Sequence, residues 1–131
     1  MLLARYGTII VVIHAIVVVL HGLAHQKIPV PLSLVQSLFV NAVIVLAPVA
    51  AAILLWTPFY RMGCWLFFGA MTGALLFGIY NHFIAITPDH ISQISFEGWG
   101  VLFQVTAILL LITEGCGVAL WTLNTAQQQI L

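Results

Sequence analysis

Apolar positions fill four long segments of the chain, and short stretches rich in proline, glycine and polar residues separate them. Proline cannot continue the hydrogen-bond ladder of a helix, so the stretch KIPVP ends the first segment. Each segment has at least the ~20 residues that an α-helix needs to span about 30 Å of hydrocarbon. The pattern predicts transmembrane helices over residues 5–26, 32–56, 62–86 and 99–123.

The connections between these segments are short, apart from the one before the fourth helix. Short connections predict an all-α, up-down-up-down antiparallel four-helix bundle, with residues 1–131 in a single domain. Ser33 is a candidate N-cap of the second helix, and Pro48 should kink that helix. Residues 87–100, TPDHISQISFEGWG, are amphipathic. We therefore expect this connection to lie over the adjacent end of the bundle.

The composition favours a membrane location. Hydrophobic residues make up 63% of the chain and charged residues only 5%, whereas a soluble domain carries roughly a quarter charged residues. The net charge is zero and there is no basic run, so nucleic acid is not an expected partner. The expected partner is the lipid bilayer, in a plasma membrane or a bacterial inner membrane. Arg5 and Arg61 fall on one side of the predicted bundle and Lys27 on the other, which favours cytoplasmic N- and C-termini.

Three of the five histidines stand in one apolar stretch, HAIVVVLHGLAH, over residues 14–25. At about 100° per residue, His14, His21 and His25 lie on one face of the first predicted helix. Ionisable residues within a membrane span are costly and usually face the interior of a bundle. The stretch therefore predicts a polar face directed at the other helices.

Alternating topology places the end of the first helix, the end of the third helix and the loop that follows it on the same side. Three or four imidazoles together with a carboxylate suit a transition metal such as Zn²⁺, Cu²⁺ or Fe²⁺. A histidine pair at i, i+4 is also a common chelating geometry on a helix. The sequence therefore predicts a metal site at this end, built from His21, His25, His82, Asp89 and His90.

A haem b group is the alternative cofactor. Two histidines on different helices at matched depth can hold haem iron from both faces, and His21 with His82 meets that condition. Haem ranks below a simple metal ion, since it requires a wide cavity. A further alternative is that these histidines are interfacial and form hydrogen bonds with water, lipid headgroups or the backbone.

A second polar layer is predicted deeper in the membrane. His14 and Glu114 each lie about 13 Å from the same side at ~1.5 Å per residue, and Asn41 lies near the middle of the second helix. A carboxyl group at that depth usually pairs with another polar group. His14, Glu114 and Asn41 are therefore predicted to form a buried polar group. It is interpreted either as a proton-relay pair or as a structural hydrogen bond with a protonated glutamic acid.

The sequence leaves three functional hypotheses open. The first is a membrane protein with a histidine-rich metal or haem site, linked to redox or proton chemistry. The second is an accessory subunit of a larger membrane complex or a homo-oligomer, without chemistry of its own. The third is a small proton-coupled transporter that uses Glu114 and His14. No nucleotide-binding loop or nucleophile motif is present, so no catalytic residue is identified and an enzymatic role stays open.

Overall fold

Four long helices make up most of the computed structural model, which describes residues 2–130. Within that range there is no β-strand. Each of the four helices is long and apolar enough to cross a membrane, so the prediction of an all-α chain with four such helices is confirmed. The helices are α1 Leu2–Lys27, α2 Leu34–Leu54, α3 Tyr60–Ile84 and α4 Trp99–Ile130.

Helix α2 begins at a capping box. The Ser33 hydroxyl accepts a hydrogen bond from the Gln36 N–H at 3.2 Å, and Gln36 Oε1 accepts one from the Ser33 N–H at 2.8 Å. Two backbone donors that a helix start leaves unpaired are thereby satisfied. The expected cap at Ser33 is confirmed, and the helix begins at Leu34, two residues later than predicted, because Ser33 itself stands outside the helix.

The middle of α2 is irregular. Residues Val40–Leu46 form a π-helical segment, and the ordinary α-helix resumes over Ala47–Leu54. Pro48 lies two residues after this segment, and its missing N–H removes one bond from the α-helical ladder. The sequence predicts a kink at Pro48, and the irregularity observed near it is this π-helical segment on its N-terminal side.

Helix α3 ends in a second π-helical segment, Tyr80–Ile84. The N–H of Ala85 donates to the carbonyl oxygen of Tyr80 at 2.7 Å, which spans five residues instead of four. A π-turn holds more residues than an α-turn and so changes the direction of the side chains. Two consecutive polar residues, Asn81 and His82, are both buried there.

Helix α4 continues seven residues beyond the predicted end at position 123 and runs to Ile130. The extension contains no glycine or proline to stop it, and alanine and glutamine are good helix formers. The Thr125 hydroxyl also donates to the carbonyl oxygens of Trp121 and Thr122 within the helix. The polar tail is therefore helical.

Helix α1 packs along α4, α4 packs against α3, and α3 packs against α2, while the contact between α1 and α2 is the smallest of the four. An apolar core joins the start of α1, the end of α2 and the first half of α3. Its members are Leu3, Ala4, Val11, Ala51, Ala52, Leu55, Phe67 and Met71.

Candidate metal centre

The imidazole rings of His21, His25 and His82 lie against one another. The ring centroid of His21 is 4.8 Å from that of His25 and 4.9 Å from that of His82. One nitrogen from each ring lies within 4.8 Å of the nitrogens from the other two. His21 and His82 are buried, and the His25 side chain is 15% exposed. The structure therefore brings together the three histidines of α1 and α3 that were predicted to bind a metal, and Asp89, a fourth predicted residue, contacts two of them.

Local structure explains the position of each ring. Buried residues of α1 recur about every three or four positions, and His14 and His21 occupy that face. The face packs along α4, where Phe103 contacts all three rings of the cluster at centroid distances of 4.8–5.4 Å. His82 comes from the π-helical end of α3, which directs it toward α1.

A hydrogen bond from His21 to Thr106 defines which nitrogen of His21 is free. His21 Nδ1 lies 2.8 Å from Thr106 Oγ1, and that hydroxyl lies 2.6 Å from the carbonyl oxygen of Leu102. A hydroxyl has one hydrogen to donate, and a backbone carbonyl can only accept it. Thr106 therefore accepts from Nδ1–H, and the lone pair of His21 is on Nε2. This atom is buried and has no hydrogen-bond partner.

Asp89 contacts the other two rings, those of His25 and His82. Its Oδ1 lies 3.3 Å from His25 Nε2 and 3.4 Å from His82 Nδ1. The backbone carbonyl of Asp89 accepts a hydrogen bond from His82 Nδ1 at 3.0 Å. With these nitrogens facing Asp89, the lone pairs fall on His82 Nε2 and His25 Nδ1, and the latter is buried without a partner. The three rings thus each use one nitrogen to fix their orientation and leave the other one free.

The turn that carries Asp89 closes the cluster. The N–H of Asp89 donates to Thr87 Oγ1 at 3.3 Å, and the N–H of His90 donates to the Thr87 carbonyl at 2.9 Å. Asp89 is buried although it belongs to a loop. The expectation that the loop after α3 lies over this end of the bundle agrees with the placement of this turn.

Two residues lie outside the sites for which they were predicted, His90 for the metal site and Asn41 for the deeper polar group. His90 Nδ1 accepts from the Ser92 N–H at 3.1 Å and lies 2.8 Å from the Ser92 hydroxyl, so it caps a short 3₁₀ turn instead of joining the other histidines. Asn41 is exposed, and its amide donates to the Ser37 carbonyl at 2.8 Å. The π-helical segment of α2 begins at Val40 and turns Asn41 away from His14 and Glu114.

His14 and Glu114 form the deeper pair. His14 Nε2 lies 3.2 Å from Glu114 Oε1, and the side chains are 1% and 2% exposed. Glu114 Oε2 is buried and has no hydrogen-bond partner. One cavity is lined both by Glu114 and by the three clustered histidines, so the two polar layers share a space within the bundle.

Sequence reasoning did not identify two contacts that support this site. Thr106 was not among the predicted site residues, but it contacts His21. Its depth in α4 matches that of His21 in α1, and this signal is present in the sequence. Gln36 Nε2 donates to Asn81 Oδ1 at 3.1 Å, and no pattern in the sequence indicates that pairing.

Comparisons with protein-family models, with curated proteins and with solved structures find no significant match. The function is therefore inferred from the site itself.

Proposed function

We propose that this chain is an integral membrane protein that binds one divalent transition-metal ion through His21, His25 and His82. The ligand atoms would be His21 Nε2, His25 Nδ1 and His82 Nε2. Thr106 would fix the orientation of His21. Asp89, whose two carboxyl oxygens are buried without a hydrogen-bond partner, would contact His25 and His82 and lie beside the ion as a counter-charge. Hydrogen bonds from a ligand imidazole to a neighbouring oxygen raise the basicity of the ligand nitrogen and set the tautomer of the ring.

The observation that carries the proposal is the pair of buried ring nitrogens without partners, one on His21 and one on His25. Buried polar atoms in folded proteins almost always have a hydrogen-bond partner, so two orphans in adjacent rings require an explanation. A bound cation satisfies both lone pairs at once. Asp89 supplies a buried negative charge beside it, which offsets part of the charge of the ion.

The geometry suits a small ion. Ligands at 2.0–2.1 Å from a tetrahedral metal lie about 3.3–3.4 Å apart, and one nitrogen from each ring already lies within 4.8 Å of the others, so small side-chain movements of at most about 1.5 Å would bring three nitrogens to that spacing. Three neutral nitrogen ligands suit Zn²⁺, Cu²⁺ or Fe²⁺. They leave a fourth coordination position open, as at catalytic zinc sites.

Haem fits less well. A bis-histidine haem places the porphyrin between its two axial rings. Here the ring of His21 is in edge contact with both His25 and His82, at centroid distances of 4.8 and 4.9 Å. These contacts leave no space between His21 and His82 for a macrocycle.

A membrane location is supported by the four apolar helices and by the side chains on their outer faces. Ile16, Val19, Leu76 and Ile112 are each more than half exposed, which suits lipid better than water. His14 contacts Glu114 on α4, whereas His21, which lies later in α1, contacts Thr106, which lies earlier in α4. That register supports α1 and α4 running in opposite directions, as in an up-down-up-down bundle. The proposal that the termini face the cytoplasm rests on Arg5 and Arg61, which fall on their side.

A proton-linked role is the second candidate, and the buried contact of His14 with Glu114 favours it. Both groups can gain or lose a proton, and they lie within the bundle, where such residues commonly serve proton transfer. Their cavity is shared with the metal ligands. A proton released or taken up at the metal centre would therefore have an acceptor or donor in the same enclosed space.

The test is metal titration of the purified chain in detergent, with Zn²⁺, Cu²⁺ and Fe²⁺ added separately and bound metal measured by elemental analysis. We expect one tightly bound ion per chain. His21→Ala should abolish this binding, whereas His90→Ala should retain it, because His90 contacts Ser92 and not the cluster. If none of the three ions binds in stoichiometric amount, or if His21→Ala binds as well as the unmodified chain, the proposal is wrong.

A further inference from the structure

The cavity shared by the two polar layers has a volume of about 340 Å³. Sites for small organic ligands have volumes of roughly 300–1,000 Å³ and mostly apolar walls with a few polar groups. The walls here are mainly aliphatic and aromatic, with contributions from Val18 of α1, Ile44 of α2, Phe77 of α3 and Leu110 of α4. Both its size and its lining are therefore those of a site for a small apolar molecule.

Glu114 contributes one of several polar atoms in this cavity that lack a partner within the protein; the others belong to His21, His25 and Asp89, at the proposed metal centre. Glu114 lines the cavity and is 2% exposed, and its Oε2 forms no hydrogen bond, whereas Oε1 is occupied by His14. Gly78 leaves room beside that oxygen, since a Cβ placed on Gly78 would lie 3.8 Å from Oε2. A buried carboxyl oxygen next to open space requires a ligand group that can pair with it.

A hydroxyl group fits Oε2 best. A hydroxyl both donates and accepts, so it pairs with Glu114 whether the carboxyl group is ionised or protonated. A carbonyl would pair only with the protonated acid, and an ammonium would bring a charge into a cavity whose walls are mainly apolar. The apolar walls then require that the remainder of the molecule be hydrocarbon.

The contact between α1 and α2 is the smallest of the four helix contacts, so the route of access to the cavity is assigned to the seam between these helices. Two further cavities lie along the same seam, and their linings include Val11, Ala15 and Val49. These side chains are aliphatic, so the seam favours apolar molecules over ions or sugars. If the helices span a bilayer as proposed, the seam opens to lipid.

We infer that the cavity between the metal centre and Glu114 is a binding site for a lipid-soluble alcohol or phenol, whose hydroxyl pairs with Glu114 Oε2. This inference rests on the proposed membrane location but not on the presence of the metal. The molecule would reach the cavity from the hydrocarbon layer through the seam between α1 and α2.

The test uses a photoactivatable long-chain alcohol added to the protein in phosphatidylcholine vesicles, with labelled positions mapped by mass spectrometry. We expect labelling of cavity residues on α1 to α4, competed by 1-decanol. Decane should compete about tenfold less well, which is the effect of losing one hydrogen bond to a carboxyl group. Equal competition by decane and 1-decanol, or labelling spread over the lipid-facing residues alone, would overturn the inference.

Gly78→Leu fills the space beside Glu114 Oε2 and should lower cavity labelling about tenfold. Gly69→Leu is the matched control, since it places the same side chain on the same helix where nothing lies within 4 Å. Undiminished labelling in a folded Gly78→Leu protein would contradict the inference. If that variant does not fold, the comparison of decane with 1-decanol on the unmodified chain still tests whether the cavity binds the hydroxyl group.

Two further measurements separate this inference from the proposed function. Resistance of the protein to extraction from vesicles by alkaline carbonate tests membrane insertion, and metal content measured on the same samples tests the metal centre. A chain that binds metal and stays in the membrane but shows no hydroxyl-dependent labelling would refute the alcohol site alone.

Discussion

His21 Nδ1 donates a hydrogen bond to Thr106 Oγ1 across the α1–α4 interface, at 2.8 Å. Since the Thr106 hydroxyl gives its own hydrogen to the backbone, this contact determines the tautomer of His21 and aims Nε2 at the other two rings. One threonine on α4 therefore sets the chemical state of a ring on α1.

Replacing Thr106 by valine should weaken metal binding by about 10–100-fold, the usual effect of losing the hydrogen-bond partner of a ligand imidazole. The shape of the side chain is nearly unchanged, so the loss reports the hydrogen bond to His21. Thr106→Ser should restore most of the affinity. Competition titration against a chromophoric chelator measures the metal affinity of each variant. Thr113→Val is the control, because the Thr113 hydroxyl donates only to the Leu109 and Leu110 carbonyls of its own helix. Equal affinities of Thr106→Val and the unmodified chain would contradict this role.

Replacing Asp89 by asparagine should also weaken metal binding, by about 10–100-fold, because the neutral amide no longer offsets the charge of the ion or orients His25 and His82 as strongly. The same chelator competition measures the change. Glu97→Gln removes the same charge from an exposed position in the same loop and should leave the affinity unchanged. A similar loss in both variants would indicate a general effect of loop charge instead of a local effect at the cluster.

Replacing His14 by phenylalanine should lower the free energy of unfolding by about 1–3 kcal/mol, since both carboxyl oxygens of Glu114 then lack a partner in the protein. Adding Glu114→Leu to that variant removes the unpaired carboxyl and should recover part of the loss. Denaturation in mixed micelles, followed by circular dichroism, gives the coupling between the two positions. Strictly additive effects would show that the two side chains do not stabilise each other.

Replacing Gly63 by alanine should destabilise the fold by about 1–3 kcal/mol through overpacking. An ideal Cβ on Gly63 would lie 2.8 Å from the backbone nitrogen of Leu55, and backbone cannot move aside as a flexible side chain does. Gly69→Ala adds the same methyl group to the same helix in open space and should be neutral or stabilising, because alanine favours helix over glycine. Thermal denaturation of both variants is the measurement, and equal midpoints would disprove the steric argument.

The helices and the grouping of His21, His25 and His82 follow from simple properties of the sequence. Hydropathy and proline positions define the four spans, and the order of the spans determines which helix ends lie together. The spacing of the histidines on α1 places them on one face. None of these inferences requires knowledge of side-chain packing, so each of them can be made from the sequence alone.

The placements of Asn41 and His90 depend on features that hydropathy does not encode. Helix α2 is apolar on nearly all sides, so its sequence does not define which face is buried, and the π-helical segment changes the direction of Asn41. His90 lies beside Asp89 in a loop, where a nearby hydroxyl from Ser92 provides a local partner. Such local hydrogen bonds compete with long-range contacts and cannot be weighed from spacing alone.

Gln36 uses both ends of its side-chain amide, since the oxygen accepts from Ser33 at the start of α2 and the nitrogen donates to Asn81 at the end of α3. Asn81 in turn donates to the carbonyl of Phe77, and it directly precedes His82. These hydrogen bonds link the start of α2 to the residue beside His82, a proposed metal ligand. A molecule that displaces the start of α2 would therefore also shift His82 and change the affinity of the proposed site for its ion.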